Sequence, residues 1–356
     1  MKALMKTHPG IGHFSIRDVP RPSPQKPDDV LIRISAAGIC GTDLHIYQDT
    51  FQNYPPVILG HEFSGIVEQV GPAVTKFQPG DRVVGEPHTN FCGKCEMCRA
   101  GKIQLCQEKR SPGWGVDGAF TDYLVMPELF LHHIPANVSD LVAALTEPMA
   151  VVTHGVLERS GVEAQDVVAI IGAGPIGILA AVAAKAAGAR ETILLGRNSS
   201  EKIRFSVAKR VGIDRTINIT QENPQELIYQ ITGGLGADLV VEASGSEGGI
   251  NLAVDIVKKC GRISVIGMPH EQFVSTQWLK MVQKVLDINF CLSSSVSSWE
   301  RALGILSSYP YDLSAVITHQ MNICDWENAF QKIKNSEAAK IVFIPGITDR
   351  SLDENE

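Results

Sequence analysis

The sequence predicts an α/β protein in two parts, an all-β, loop-rich part followed by a parallel, doubly wound sheet. Three observations carry this reading. Short β-like runs separated by Pro and Gly fill roughly residues 2–134. From Val167 onward, apolar strands alternate with helix-length segments. A chain of 356 residues also exceeds what one hydrophobic core serves comfortably.

In the first part, VLIRISAAGI (30–39), FSGIVEQVG (63–71), DRVVGEP (81–87) and AFTDYLVM (119–126) read as strands, punctuated by PRPSPQKPDD, NYPPVILG and KFQPGD. The texture changes near 135–139. LVAALTEPMAVVTHGVLER is helical in period, and strands are expected at 167–171, 192–195, 239–242 and 263–266, each followed by a segment able to cross over as a helix. IGILAAVAAKAAGA, interrupted by Lys185 and Gly188, reads as a buried helix. After about Phe290 the pattern is mixed, ending in the strand-like AAKIVFIPG and a polar tail, SLDENE, expected to fray. There is no internal repeat and no low-complexity tract.

Apolar residues at 44% and charged residues at 20% suit a soluble globular chain. A formal charge of -7, with scattered lysines and arginines, argues against a nucleic-acid partner. No segment reaches the roughly 18 apolar residues of a membrane helix, and MKALMKTHPGIGHF lacks the apolar run of a signal peptide. A cytoplasmic location is therefore expected, and with it eight cysteines kept as thiols or metal ligands rather than disulfides.

Gly172, Gly174 and Gly177 of GAGPIG follow the strand VVAII and open a long helix, the context in which G-x-G-x-x-G binds a dinucleotide. The first glycine permits the tight turn, the second lets the pyrophosphate approach, and the third lets helix and strand pack closely. The helix N-terminus then faces the phosphates. Pro175, Ile176, Ser244 and Gly267 complete the expected cofactor-binding set. An acidic residue for the ribose 2′-OH of NAD is expected about 20 residues on. Gly196 stands there instead, followed by Arg197, which favours NADP. Arg197 as a solvated loop residue, with Glu201 reaching the ribose, is the alternative.

Cys92, Cys95, Cys98 and Cys106 are spaced C-x2-C-x2-C-x7-C, a pattern for four thiolates around a tetrahedral Zn²⁺. Four sulfurs close the shell and leave no position for substrate, so this site is structural and metal chemistry must lie elsewhere. Upstream stand GICGTDLHIY and ILGHEFSGIVEQVG. Alone, Cys40 reads as a small buried hydrophobe and His61 as a satisfied core histidine. Together with the cysteine lobe, the glycine motif and the later LTEP, in that order, they resemble the zinc-dependent medium-chain dehydrogenase/reductase family over nearly the whole chain.

The resemblance implies a GroES-like β-rich catalytic domain over 1–148 with a structural-zinc lobe at 88–110. It further implies a Rossmann domain over 149–292 and a segment, 293–356, returning to the catalytic domain. Carried over, Cys40 and His61 are ligands of a catalytic zinc, and Glu62 binds that metal or lies just behind it. The third-ligand position, cysteine in many alcohol dehydrogenases, is here Glu147, bound directly or through water. That departure points to the polyol and threonine dehydrogenase branch. A helix-terminal carboxylate before Pro148 is the bland reading of Glu147.

The implied reaction is reversible oxidation of a secondary alcohol to its ketone by hydride transfer to a nicotinamide cofactor. Two zinc ions per chain are expected. Thr42 corresponds to the family's hydroxyl relay and His45 to the histidine that passes the proton on; a helix cap and a wet surface residue are the alternatives. CGTDLHIY and His88 of GEPHTNFCGKC resemble threonine 3-dehydrogenase, whereas PMAVVTHGV after Glu147 is closer to polyol dehydrogenases. A polyol or sugar alcohol, phosphorylated forms included, is the preferred substrate, with L-threonine as the alternative. Tyr47, His88 and Trp114 are candidate pocket residues, each equally able simply to pack. A non-catalytic dinucleotide-binding relative is the reading from another class. The resemblance also implies a homodimer or homotetramer, with the sheet edge at 286–292 as contact.

Overall fold

The computed structural model describes residues 1–269 and 271–347 and the backbone of Arg350 and Ser351; the tail beyond Ser351 lies outside the described residues. The chain forms two compact units. Unit 1 is Met1–Glu147, Ile317–Lys334 and Lys340–Glu356; unit 2 is Pro148–Val316 and Asn335–Ala339.

Unit 1 begins with β1 (Lys2–Lys6), β2 (Phe14–Asp18), β3 (Asp29–Gly38), β4 (Val57–Ile58), β5 (Glu62–Val70), β6 (Arg82–Gly85), β7 (Tyr123–Pro127) and β8 (Leu131–His133). Unit 2 contributes β9 (Val167–Ile171), β10 (Glu191–Gly196), β11 (Arg215–Asn218), β12 (Ala237–Glu242), β13 (Val257–Val265) and β14 (Asp287–Phe290). The chain closes with β15 (Ile317–Met321), β16 (Lys340–Phe343) and β17 (Arg350–Ser351).

In unit 1, β2-β1-β4 form a small sheet, and an eight-stranded sheet runs β17-β15-β16-β3-β5-β6-β8 with β7 also paired to β3. β3 is buried along almost its whole length, which its near-continuous apolar sequence permits. Its last residues pair antiparallel with two neighbours: Gly38 stands opposite Glu62 of β5 and Val342 of β16. The end of β3, the start of β5 and the start of β16 therefore meet at one end of the sheet. Cys40, His61 and Lys340 lie at those three chain positions.

Unit 2 is a six-stranded sheet in the order β11-β10-β9-β12-β13-β14, parallel throughout. Counted within the unit this is 3-2-1-4-5-6, the doubly wound dinucleotide-binding order, whose switch point lies between β9 and β12. VVAII is buried at every position, as expected of a central parallel strand covered on both faces.

The return of the chain differs from the expected start at 293. Residues 293–316 belong to unit 2. The helix Val296–Ser308 buries Trp299, Ala302, Leu303 and Leu306, an i, i+3, i+4, i+7 stripe. It packs on the Thr153–Arg159 segment of the same unit, where Glu158 accepts hydrogen bonds from Ser295 and Ser297. The stripe declares an apolar face but not which core receives it. Among the described residues no helix is long and apolar enough to cross a membrane.

Candidate functional site

The helix Gly41–Tyr47 starts directly after β3 with Cys40 as its N-cap. Asp43 folds back so that its Oδ2 accepts the Cys40 N–H at 2.9 Å, which fixes the turn carrying the thiol. Across β3, the sulfur of Cys40, an imidazole nitrogen of His61 and a carboxylate oxygen of Glu62 all lie within 4.8 Å of one another. Glu147 falls outside that set, although its charge acts on His61 and Glu62. Behind Glu62, the Lys340 ammonium forms a buried ion pair with Oε2 and donates to the Ile39 carbonyl at 2.8 Å. Gly38 makes room for this pair: a Cβ there would run into the Glu62 carboxylate and stand 2.9 Å from Lys340 Cε.

The donors fit a metal ion. His61 Nδ1 and Asp43 Oδ1 are buried without a hydrogen-bond partner among the described residues, and buried polar atoms left unpaired are costly. Burial pulls the His61 pKa down, but the negative charges of Cys40, Asp43 and Glu147 override it and push the value up to about 10. Burial raises Asp43 to about 6 and Glu147 to about 7. A field that strongly favours one proton on His61 favours a dication more, and metal binding displaces that proton. One sulfur, one nitrogen and carboxylate oxygens form a donor set suited to zinc.

The four-cysteine lobe also fits. The sulfurs of Cys95 and Cys98 are 3.4 Å apart and those of Cys92 and Cys98 3.9 Å, against about 3.8 Å between ligands of a tetrahedral site with Zn–S of about 2.3 Å. Cys106 completes the set. The backbone N–H groups of Lys94 and Cys95 bring Cys92 down to about 7, whereas burial drives Cys98 up to about 12, so the lobe alone does not sustain four thiolates.

In unit 2, Gly172 adopts φ +107, and a Cβ on Gly177 would collide with the Gly172 carbonyl. Gly174, the N-cap of the helix Pro175–Ala186, faces open space, with Pro175 and Ile176 opening the helix. Gly196 ends β10 against Phe205, Ser200 and Ala173, leaving no space for a side chain. Arg197 is exposed, while Glu201 accepts a hydrogen bond from Asn218 Nδ2 at 2.5 Å. Ser244 and Gly267 both approach the buried carboxylate of Glu242 at the end of β12. The Ser244 N–H donates to it at 2.9 Å and the Gly267 N–H donates to the Glu242 carbonyl at 2.9 Å.

Thr42 Oγ1 is 3.7 Å from Cys40 Sγ, and His45 Nδ1 is 3.2 Å from Thr50 Oγ1. The Tyr47 ring packs on Phe14 at 5.2 Å and on Trp326 and Phe330. Trp114 packs on Phe51 and Tyr54. His88 is fully buried with Nε2 4.0 Å from Glu86. Sequence reasoning missed Asp43, Lys340 and Glu242. Two of them left a signal: a lysine inside the apolar strand AAKIVFIPG and an acid closing the strand LVVE are charges where burial is expected.

A metal cluster of S, N and O donors on a β-rich unit, and a dinucleotide crevice on a parallel sheet, define a zinc- and nicotinamide-dependent dehydrogenase. Comparison with known proteins agrees. Residues 26–136 match the alcohol dehydrogenase GroES-like domain and residues 175–308 the zinc-binding dehydrogenase domain. The chain is 36% identical to a sorbitol dehydrogenase of Halalkalibacterium halodurans over 97% of its own length and 99% of that protein. It is 35% identical to an L-threonine 3-dehydrogenase of Bacillus subtilis, again covering 97% and 99%. A zinc-binding dehydrogenase of Sinorhizobium meliloti bound to NADP superposes with a TM-score of 0.87 at 29% identity, covering 97% and 99%. The chain belongs to the zinc-dependent medium-chain dehydrogenase family, and its activity is zinc-dependent, nicotinamide-linked alcohol oxidoreduction.

Proposed function

We propose that this enzyme interconverts a polyol or sugar alcohol, phosphorylated forms included, and the corresponding ketone, with NADP as the preferred cofactor and two zinc ions per chain. The observation that carries the reading is the Cys40–His61–Glu62 cluster, with a carboxylate, Glu147, beside it where a further thiolate would close the shell. Zinc in such an open, oxygen-rich site acts as a Lewis acid that lowers the pKa of a hydroxyl. Cys40 and His61 hold the ion, and Glu62 and Glu147 tune it directly or through water. Cys92, Cys95, Cys98 and Cys106 hold the structural ion.

Thr42, beside Cys40, takes the proton of the substrate hydroxyl, and His45 carries it outward; their neighbouring positions on one short helix support this relay. A bound nicotinamide would supply the hydride acceptor, and Gly172, Gly174, Pro175, Ile176, Gly177, Ser244 and Gly267 would bind and orient it. For NADP, the support is threefold: no side chain fits at Gly196, Arg197 is exposed, and the rival carboxylate, Glu201, is engaged by Asn218. Arg197→Ala is expected to raise KM for NADPH much more than for NADH.

The 36% identity to a sorbitol dehydrogenase supports a polyol. L-Threonine is the second reading, favoured by CGTDLHIY, by His88 and by the threonine dehydrogenase relative. The test is a panel of polyols, their phosphates and L-threonine, followed at 340 nm with NAD and NADP, alongside metal analysis. No turnover by protein carrying two zinc ions would defeat the proposal. For assembly, a homodimer or homotetramer is supported by the outer edge of β14 together with the exposed Trp278, Leu279, Phe290 and Leu292. Light scattering on the eluting protein reads it directly.

A further inference from the structure

The end of β10 abuts the glycine turn of the dinucleotide motif. The Gly172 N–H donates to the Leu195 carbonyl at 3.0 Å, and a Cβ on Gly196 would stand 3.0 Å from the Cβ of Ala173. In a doubly wound sheet, the residues at the end of this second strand read the 2′ position of the adenosine ribose. Arg197 and Asn198 follow Gly196 there, and both are exposed.

Around Asn198 the polar groups are sorted into acceptors that are engaged and donors that are not. Asn198 Oδ1 accepts from Asn218 Nδ2 at 2.7 Å and from Gln221 Nε2 at 3.1 Å, and the Thr220 hydroxyl lies against the same atom. Asn218 Nδ2 also donates to Glu201 Oε1. Asn218 Oδ1 accepts from the Thr220 N–H at 3.1 Å, and Glu222 Oε2 from the Asn218 N–H at 3.0 Å. Asn218, at the centre, is 4% exposed. Each of these side chains therefore has an acceptor met from within the network. By contrast, neither Asn198 Nδ2 nor the Arg197 guanidinium has a hydrogen-bond partner among the described residues. With the amide pinned through its oxygen, the branch left over at Asn198 is a donor. A ribose diol is best held by an acceptor, whereas a phosphate dianion only accepts.

We propose that Asn198 is a specificity-determining residue that donates from Nδ2 to the 2′-phosphate of a bound dinucleotide, alongside Arg197. This rests on the reading of NADP as the preferred cofactor and adds a second donor to it. Tying the turn after β10 to β11 is the competing, purely structural role, and it weakens nucleotides with and without the 2′-phosphate alike.

Full-length protein is titrated by calorimetry with adenosine 2′,5′-bisphosphate and with 5′-AMP, and then with NADPH and NADH, so that the readout needs neither turnover nor an alcohol. Two donors, each worth about tenfold as hydrogen bonds to a charged group, should give the wild type a preference for the 2′-phosphate of roughly a hundredfold. Asn198→Ala, which adds no charge, should cut that preference about tenfold. Asn198→Asp keeps an oxygen for Asn218 and replaces the donor with a carboxylate, so it should cut the preference further; it also decides the matter if Asn198→Ala fails to fold. Equal losses for nucleotides with and without the 2′-phosphate, or an unchanged preference in Asn198→Asp, would overturn the inference, and Arg197→Ala would then show whether the NADP reading stands without it. A wild type that binds 5′-AMP as tightly as the bisphosphate would defeat both.

Discussion

Lys340→Met replaces a nearly inaccessible ammonium with an apolar chain of similar length and leaves the Glu62 carboxylate, 1% exposed, without its ion-pair partner. Unit charges about 4 Å apart attract by roughly 4 kcal/mol at an effective dielectric of about 20. Deleting one member of a buried pair costs about 3–5 kcal/mol, because the other charge stays buried. The Ile39 carbonyl also loses its donor, a further ~1 kcal/mol. At about 2–4 °C per kcal/mol for a unit of this size, the metal-free variant should melt roughly 8–24 °C below the parent.

The assay is thermal unfolding of metal-free Lys340→Met, Glu62→Gln and the double variant across pH. A neutral amide needs no counter-ion, so the double variant should regain most of the loss, with a coupling of at least ~2 kcal/mol. Zinc should narrow the gap by supplying positive charge. A drop below about 2 °C at pH 7, or additive single effects, would refute the claim that this ion pair organises the site.

Gly38→Ala should push a methyl group into the Glu62–Lys340 pair, costing about 1–3 kcal/mol and lowering zinc content; parent-like metal analysis and melting would count against that close approach. Cys95→Ser should lose one zinc and melt lower while retaining the other zinc, and a stable variant lacking only the Cys40–His61 metal would reverse the division between structural and catalytic ions. For Glu158, burial acts to raise the pKa, but Ser295, His154 and Ser297 outweigh it and hold the carboxyl below its usual value. Its contribution is therefore present above the unfolded value, about 4.3, and lost as the pH falls through the lower folded value. Glu158→Gln should melt below the parent at pH 7 and converge with it on acidification; a gap independent of pH would show that the charge is not what matters.

What could be read directly from the amino acids is what short-range geometry determines. GAGPIG after VVAII, the four cysteines within one loop and the alternation of strands with crossover segments each specify their own conformation within a few residues, so the glycine turn at the head of a helix, the clustering of the four cysteines and the doubly wound sheet were legible before any tertiary contact was known. Cys40 and His61 were recognisable only as members of a pattern, since neither alone distinguishes a ligand from a core residue. Tertiary structure decided the rest through strand register. Pairing of β16, β3 and β5 brings Lys340 to the carbonyl of Ile39, 301 residues away, and to Glu62. The same holds for the helix Val296–Ser308, whose stripe could not name its core, and for Glu201, a helical residue whose carboxylate accepts a hydrogen bond from Asn218 at the end of β11. Spacing along the chain sets which residues can share a loop; which buried charges neutralise one another depends on the alignment of distant strands, and that alignment exists only in the folded sheet.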